Sequence, residues 1–151
     1  MYKKILVPID GSPTSLTGLD EAIKLAKSLG ATLKLVHVVN ELIIDSGYAP
    51  GGGMYYSDII DSLREGGKKT LAAAEDLVRG QSVKFESQLL ETIGRRASDV
   101  IVEQATEWGA ELIVMGTHGR RGIRRLALGS DAEMVLRHAR IPVLMVRDTS
   151  D

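Results

Sequence analysis

The chain has 151 residues, 44% hydrophobic and 26% charged, with a net charge of −1 and no cysteine. That is the size of one domain burying roughly 68–70% of its unfolded surface. Near-neutral charge argues against a general nucleic-acid binder, the lack of cysteine removes disulfides and zinc–thiolate sites, and no apolar run reaches membrane-spanning length.

The basic start Met1-Tyr2-Lys3-Lys4 is followed only by Ile5-Leu6-Val7 before Pro8. This is too short for a secretory segment, so a soluble, cytoplasmic chain is expected. Ile5 to Ile9 reads as a first strand covered on both faces. Asp10-Gly11-Ser12-Pro13 then makes a turn, with Ser12 as N-cap and Pro13 opening a helix. Leu16, Leu19, Ile23 and Ala26 repeat at helical spacing, and Gly30 stops the helix. Thr32 to Val39 is a second strand, apolar apart from Lys34 and His37.

From Asn40 to Tyr56 the pattern dissolves around Pro50-Gly51-Gly52-Gly53, and a loop of that length suggests function or disorder. Ser57 is the expected cap of a second helix with Ile60, Leu63, Leu71, Ala74 and Val78 inward. Each glycine of Gly66-Gly67 costs a helix about 1 kcal/mol, so a break is expected there. Val83 to Leu90 alternates as a third strand, and Ala97, Ile101, Ala105 and Trp108 mark a third helix ended by Gly109. Glu111 to Met115 is the fourth strand, Asp131 to Ala139 the fourth helix and Ile141 to Val146 the last strand.

Strands alternating with helices predict an α/β fold, a doubly wound parallel sheet in one domain. With strand order 3-2-1-4-5, ligands bind beyond the carboxyl ends of strands 1 and 4. Asp10 then faces the glycine- and arginine-rich stretch after Met115, which runs to Gly129-Ser130 at a helix start. Glycine admits a ligand close to the backbone, and a helix N-terminus offers unpaired N–H donors, a combination suited to phosphate.

The spacing Gly116-x2-Gly119-x9-Gly129-Ser130 resembles the nucleotide-binding signature of the universal stress protein family. Val7-Pro8-Ile9-Asp10-Gly11-Ser12, His37-Val38 and Pro142-Val143-Leu144-Met145-Val146 extend the resemblance over the whole chain. It implies a five-stranded, Rossmann-like domain akin to the adenine nucleotide alpha hydrolases, a homodimer, and binding of ATP or AMP, with or without Mg2+. Pro8, Ile9, Asp10 and the backbone of Val38 would border the adenosine, and Met115 and Gly116 the ribose. His118, Gly119, Gly129, Ser130 and the amides of Asp131 and Ala132 would surround the phosphates. Arg120, first of the cluster Arg120, Arg121, Arg124 and Arg125, would reach the distal phosphates.

Plainer roles compete. Ser130 opens a capping box with Glu133, Asp10 closes a turn, and the arginines are also what a solvated loop carries. His37 and His118 lack a third ligand at metal-binding spacing. Asp131 departs from the apolar or small residue common in the family. At about 6 Å from a phosphate its charge would cost roughly 3 kcal/mol at an effective dielectric of about 20.

Neither a P-loop nor a Gly-x-Ser-x-Gly elbow is present, so at most slow ATP hydrolysis is expected. A receiver-type phosphorylation domain would need an acceptor aspartate after strand 3, where Leu89-Leu90-Glu91-Thr92-Ile93 has none. Two functions follow: a nucleotide-dependent switch or sensor in a stress response, or a dimeric interaction module with weak or no nucleotide binding. In either, residues 142–146 form an apolar edge strand expected to pair with a second copy.

Overall fold

Successive side chains of a strand point to opposite faces, and the three central strands of this protein bury apolar residues on both. The computed structural model describes residues 1–41, 53–118 and 128–148. Among the described residues nine elements alternate: β1 (Lys4–Pro8), α1 (Pro13–Leu29), β2 (Thr32–Asn40), α2 (Gly53–Val78), β3 (Lys84–Thr92), α3 (Ala97–Trp108), β4 (Leu112–Gly116), α4 (Ser130–His138) and β5 (Val143–Val146). All strand pairs are parallel, as the alternating pattern predicts, and they stand in the expected order β3-β2-β1-β4-β5.

Two cores result from the strand alternation. Ile5, Val7, Leu33, Leu35, Leu112 and Val114 pack with Leu19 and Ile23 of α1 and Leu71 and Val78 of α2. Leu6, Val36, Ile113 and Met115 face the other way, against Ile101 and Ala105 of α3 and Ala132 and Val135 of α4. Lys34 shares this second parity yet is buried. Its Nζ lies 3.0 Å from Glu86 Oε1 and 5.6 Å from the Trp108 ring centre, with Lys4 Nζ 5.1 Å from the same ring. Pairing and the indole face together offset the desolvation of a buried ammonium. Among the described residues no helix is long and apolar enough to cross a membrane.

Ser12 caps α1 as expected, its hydroxyl accepting from the Ser15 amide at 3.2 Å. Gly30 and Gly109 end α1 and α3 in the left-handed region, at φ 65° and 73°. Four expectations need correcting. Leu16 is 36% exposed, because Ser15 and Gly18 occupy the inward stripe of the first turns. The second helix begins at Gly53, so Ser57 lies inside it rather than capping it. It also runs unbroken through Gly66-Gly67. There a Cβ on Gly67 would meet Leu89 Cδ1 at 2.7 Å and His37 Cδ2 at 2.8 Å, so the missing side chain lets α2 lie close on β2 and β3. Finally, β5 starts at Val143, after Pro142, whose carbonyl accepts from the Ile113 amide at 3.0 Å; proline has no N–H to pair in return.

Beyond the core, α2 is tied to β3 by Arg64, whose Nε and Nη2 lie 2.5 and 3.0 Å from the two oxygens of Glu91. The hydrogen-bonded guanidinium holds the Glu91 carboxyl below its ordinary value of 4.5. A depressed carboxylate adds stability that is complete above the unfolded value and is lost as pH falls through the folded one. Arg64→Met is therefore expected to lower stability modestly at neutral pH, and to converge on the unsubstituted protein as pH falls below about 4.5. Urea titrations at pH 3 to 7 check this, and parallel curves for both proteins would refute it.

Candidate functional site

At the carboxyl ends of β1, β2 and β4 lies a crevice of about 780 Å3, where the strand order reverses. Its size suits a small-molecule ligand, since such sites run from about 300 to 1,000 Å3. Pro8, Ile9, Asp10, Val38, Met115, Gly116, His118, Gly129, Ser130, Asp131 and Ala132 all line it. The structure thus brings together residues up to a chain length apart. Gly119 and Arg120, with Arg121, Arg124 and Arg125, fall outside the described residues, as does the greater part of the Asn40–Tyr56 loop.

The β1 side is held by a turn that locks itself. Asp10 Oδ1 accepts from the Ser12 amide at 2.8 Å, and the Asp10 amide donates to Ser15 Oγ at 3.1 Å. Asp10 therefore does close a turn, and it lines the crevice as well. One strand over, His37 Nδ1 lies 2.7 Å from the carbonyl of Ile9, so that nitrogen carries the proton and the ring is fixed against the end of β1. His37 and His118 share the crevice, yet the described residues include no group of three or more His, Asp or Glu able to hold a metal ion.

Two backbone bonds tie the β4 side together. Thr117 N–H donates to Val146 O at 3.0 Å, and Gly129 N–H donates to Thr117 O at 2.7 Å. The second bond brings Gly129 beside Thr117, so His118 and Ser130 line one crevice although they are apart in sequence. Helix α4 starts with Gly129 as N-cap and no side-chain capping bond. The capping-box role for Ser130 is thereby corrected: Ser130 is the first helical residue, one position too late to cap. The first helical bond is Glu133 N–H to Gly129 O at 2.9 Å, which leaves the amides of Ser130, Asp131 and Ala132 in the unpaired first turn.

Two further observations bear on chemistry. His118 Nδ1 lies 2.9 Å from Thr117 Oγ1, while its Nε2 is buried with no hydrogen-bond partner among the described residues. A buried polar atom without a partner costs about 1–3 kcal/mol, which a ligand acceptor or donor at that point would recover. Gly116 has a packing reason of its own, since a Cβ there would lie 2.6 Å from Thr14 O. The sequence places it at the ribose or in a turn and gives no sign of this contact.

Several lining residues escaped that reasoning: Asn40, Ser62, Gly66, Arg96, Ile101 and Met134. Arg96 carried a usable signal, because it follows a strand end on the edge of the sheet where ligands bind. Ser62 and Gly66 carried none, since only the lateral placement of α2 puts them on the crevice.

Comparison with known proteins agrees with this architecture. The Universal stress protein family matches residues 1–147. A universal stress protein of Methanocaldococcus jannaschii is 36% identical over 147 residues, 97% of this chain and 83% of that one. A universal stress protein A homolog of Coxiella burnetii is 37% identical over 148 residues, 97% and 95% of the two chains. Among solved structures, a family member from Burkholderia pseudomallei superposes with TM-score 0.76 at 37% identity, covering 95% of each chain. One from Archaeoglobus fulgidus in complex with dAMP gives 0.66 at 27% identity, covering 96% and 98%. Another, in complex with cAMP, gives 0.65 at 26% identity, covering 97% of each. With the same fold, a match along nearly its whole length and relatives above one-third identity, the chain belongs to the universal stress protein family.

Proposed function

We propose that this protein binds an adenine nucleotide, ATP or AMP, with or without Mg2+, in the crevice between β1 and β4, and acts in a stress response as a nucleotide-dependent switch or sensor in the cytoplasm. The observation that carries the reading is the conjunction at the β4 side. The partnerless His118 Nε2 and the uncapped first turn of α4 line one crevice, and that pairing suits a phosphate. Relatives in complex with dAMP and cAMP support the adenine part. In this assignment the adenosine lies along Pro8, Ile9, Asp10 and Val38, the ribose beside Met115 and Gly116, and the phosphates at His118, Gly129, Ser130 and the amides of Asp131 and Ala132. Gly119 and Arg120 belong to the same set by the signature.

Gly129 supplies the test. Its φ of −60° and ψ of 151° suit any residue, so Gly129→Leu leaves the backbone intact while placing a side chain at the mouth. Calorimetry with ATP, ADP and AMP, with and without Mg2+, is expected to show micromolar binding that Gly129→Leu reduces at least tenfold, about 1.4 kcal/mol. Equal affinities in the two proteins would overturn the assignment.

A second reading rests on Asp131, an acidic residue that lines the crevice beside the proposed phosphate site. It makes the protein a dimeric interaction module with little nucleotide affinity, and the same titrations separate the two. Both readings include a homodimer through residues 142–146. Strand β5 is an edge strand, Leu144 on it is 37% exposed, and beside it Tyr2, Leu25, Leu29 and Val143 line an apolar groove. Such an edge calls for cover.

A further inference from the structure

We infer that Arg96 is an additional ligand-binding residue, one that covers the nucleobase rather than the phosphates; the inference rests on the adenine-nucleotide reading above. Two neighbouring arginines lie between β3 and α3, and they differ. Arg95 Nη1 is paired with Glu103 Oε2 at 2.8 Å. Arg96 makes no ion pair among the described residues and lines the crevice.

On grounds of folding Arg96 is a poor choice. It is the N-cap of α3, with extended φ −72° and ψ 147° and no side-chain capping bond. Ser, Thr, Asp or Asn there would satisfy an orphan amide, and a cation at a helix N-terminus faces the unfavourable end of the dipole. A residue that breaks two local rules at once, on the wall of a crevice, is best explained by what it does there.

Its position selects the ligand part. Arg96 follows β3, on the β3–β2 side of the sheet, whereas the uncapped start of α4 follows β4 on the other side. Beside Arg96, Ala97 and Ile101 of α3 join Val38 and Met115 in the apolar part of the lining. A purine suits those walls, and a planar guanidinium stacks on a purine face as it does on an aromatic ring.

The test is Arg96→Ser, which supplies the missing cap. Its melting temperature is expected to rise, by about 2–4 °C if the cap has its usual strength. Loss of fold therefore cannot explain loss of binding. Affinity for adenosine, AMP and ATP is expected to fall by one common factor of about ten, the size of a lost base stack. Arg96→Lys keeps the charge without the plane and should recover only a minor part of adenosine binding. A loss that grows from adenosine to ATP would reassign Arg96 to the phosphates and overturn the inference, as would unchanged affinity for all three or full recovery by lysine. Wild-type protein binding none of the three would overturn the adenine reading itself. Intact wild-type binding with an unaffected variant would overturn only the role of Arg96.

Discussion

Gly116→Ala is expected to lower the stability of the protein by about 1–3 kcal/mol, the range for forcing a methyl group into a packed site. The added Cβ would lie 2.6 Å from Thr14 O, 2.7 Å from Thr14 C and 2.8 Å from Thr14 Cγ2. Two of these atoms are backbone in the first turn of α1, so no rotamer change relieves the contact. Gly18, one turn further along, is also closely packed: a Cβ there would lie 3.1 Å from Gly116 N. Relief must come from moving the start of α1 away from β4. That displacement carries Ser12 and Ser15, which hold the Asp10 turn. Ligand affinity should therefore fall together with stability. A melting temperature several degrees lower is expected, at about 2–4 °C per kcal/mol for a protein of this size. Unchanged thermal stability in Gly116→Ala would show that α1 does not rest on β4 as described.

Gly66→Ala and Gly67→Ala are expected to have opposite signs. A Cβ on Gly66 has nothing within 4 Å, so alanine there gains about 1 kcal/mol of helix propensity with no steric cost. Gly67 offers the same gain, but its Cβ would meet Leu89 Cδ1 at 2.7 Å, His37 Cδ2 at 2.8 Å and His37 Nε2 at 3.2 Å. The leucine methyl can turn aside; the imidazole is held by Ile9 O at 2.7 Å. Overpacking of about 1–3 kcal/mol then outweighs the propensity term, for a net loss of about 1 kcal/mol. Urea unfolding followed by the fluorescence of Trp108 measures both variants. Two stabilised variants would show that the close approach of α2 to His37 is not as described.

These glycines also show where the sequence stopped being informative. The unfavourable intrinsic propensity of Gly66-Gly67 suggests a broken helix when read locally. What sets the outcome is the separation between α2 and the β2–β3 surface, which no local pattern encodes. The same holds for Gly116, whose spacing to Gly119 points to a ligand while its nearest constraint is Thr14. The capping box that Ser130 and Glu133 spell in sequence lies one residue past the cap, a shift local pattern does not resolve. There the bond from Gly129 N–H to Thr117 O positions the helix start.

The sequence by itself determined the architecture. Periodicity of 2 against 3.6, Ser12-Pro13 at a helix start, and Gly30 and Gly109 at helix ends are local properties, and local physics reads them. A parallel sheet followed, and with it, for the order 3-2-1-4-5, the position of the crevice. Only the tertiary structure decided which side chains share the crevice wall. It put Arg96, Ser62 and Gly66 beside Asp10 and Ser130, and left His118 Nε2 buried without a partner. Those outcomes depend on how helices pack over the sheet, a sum of many weak contacts among residues distant in the chain.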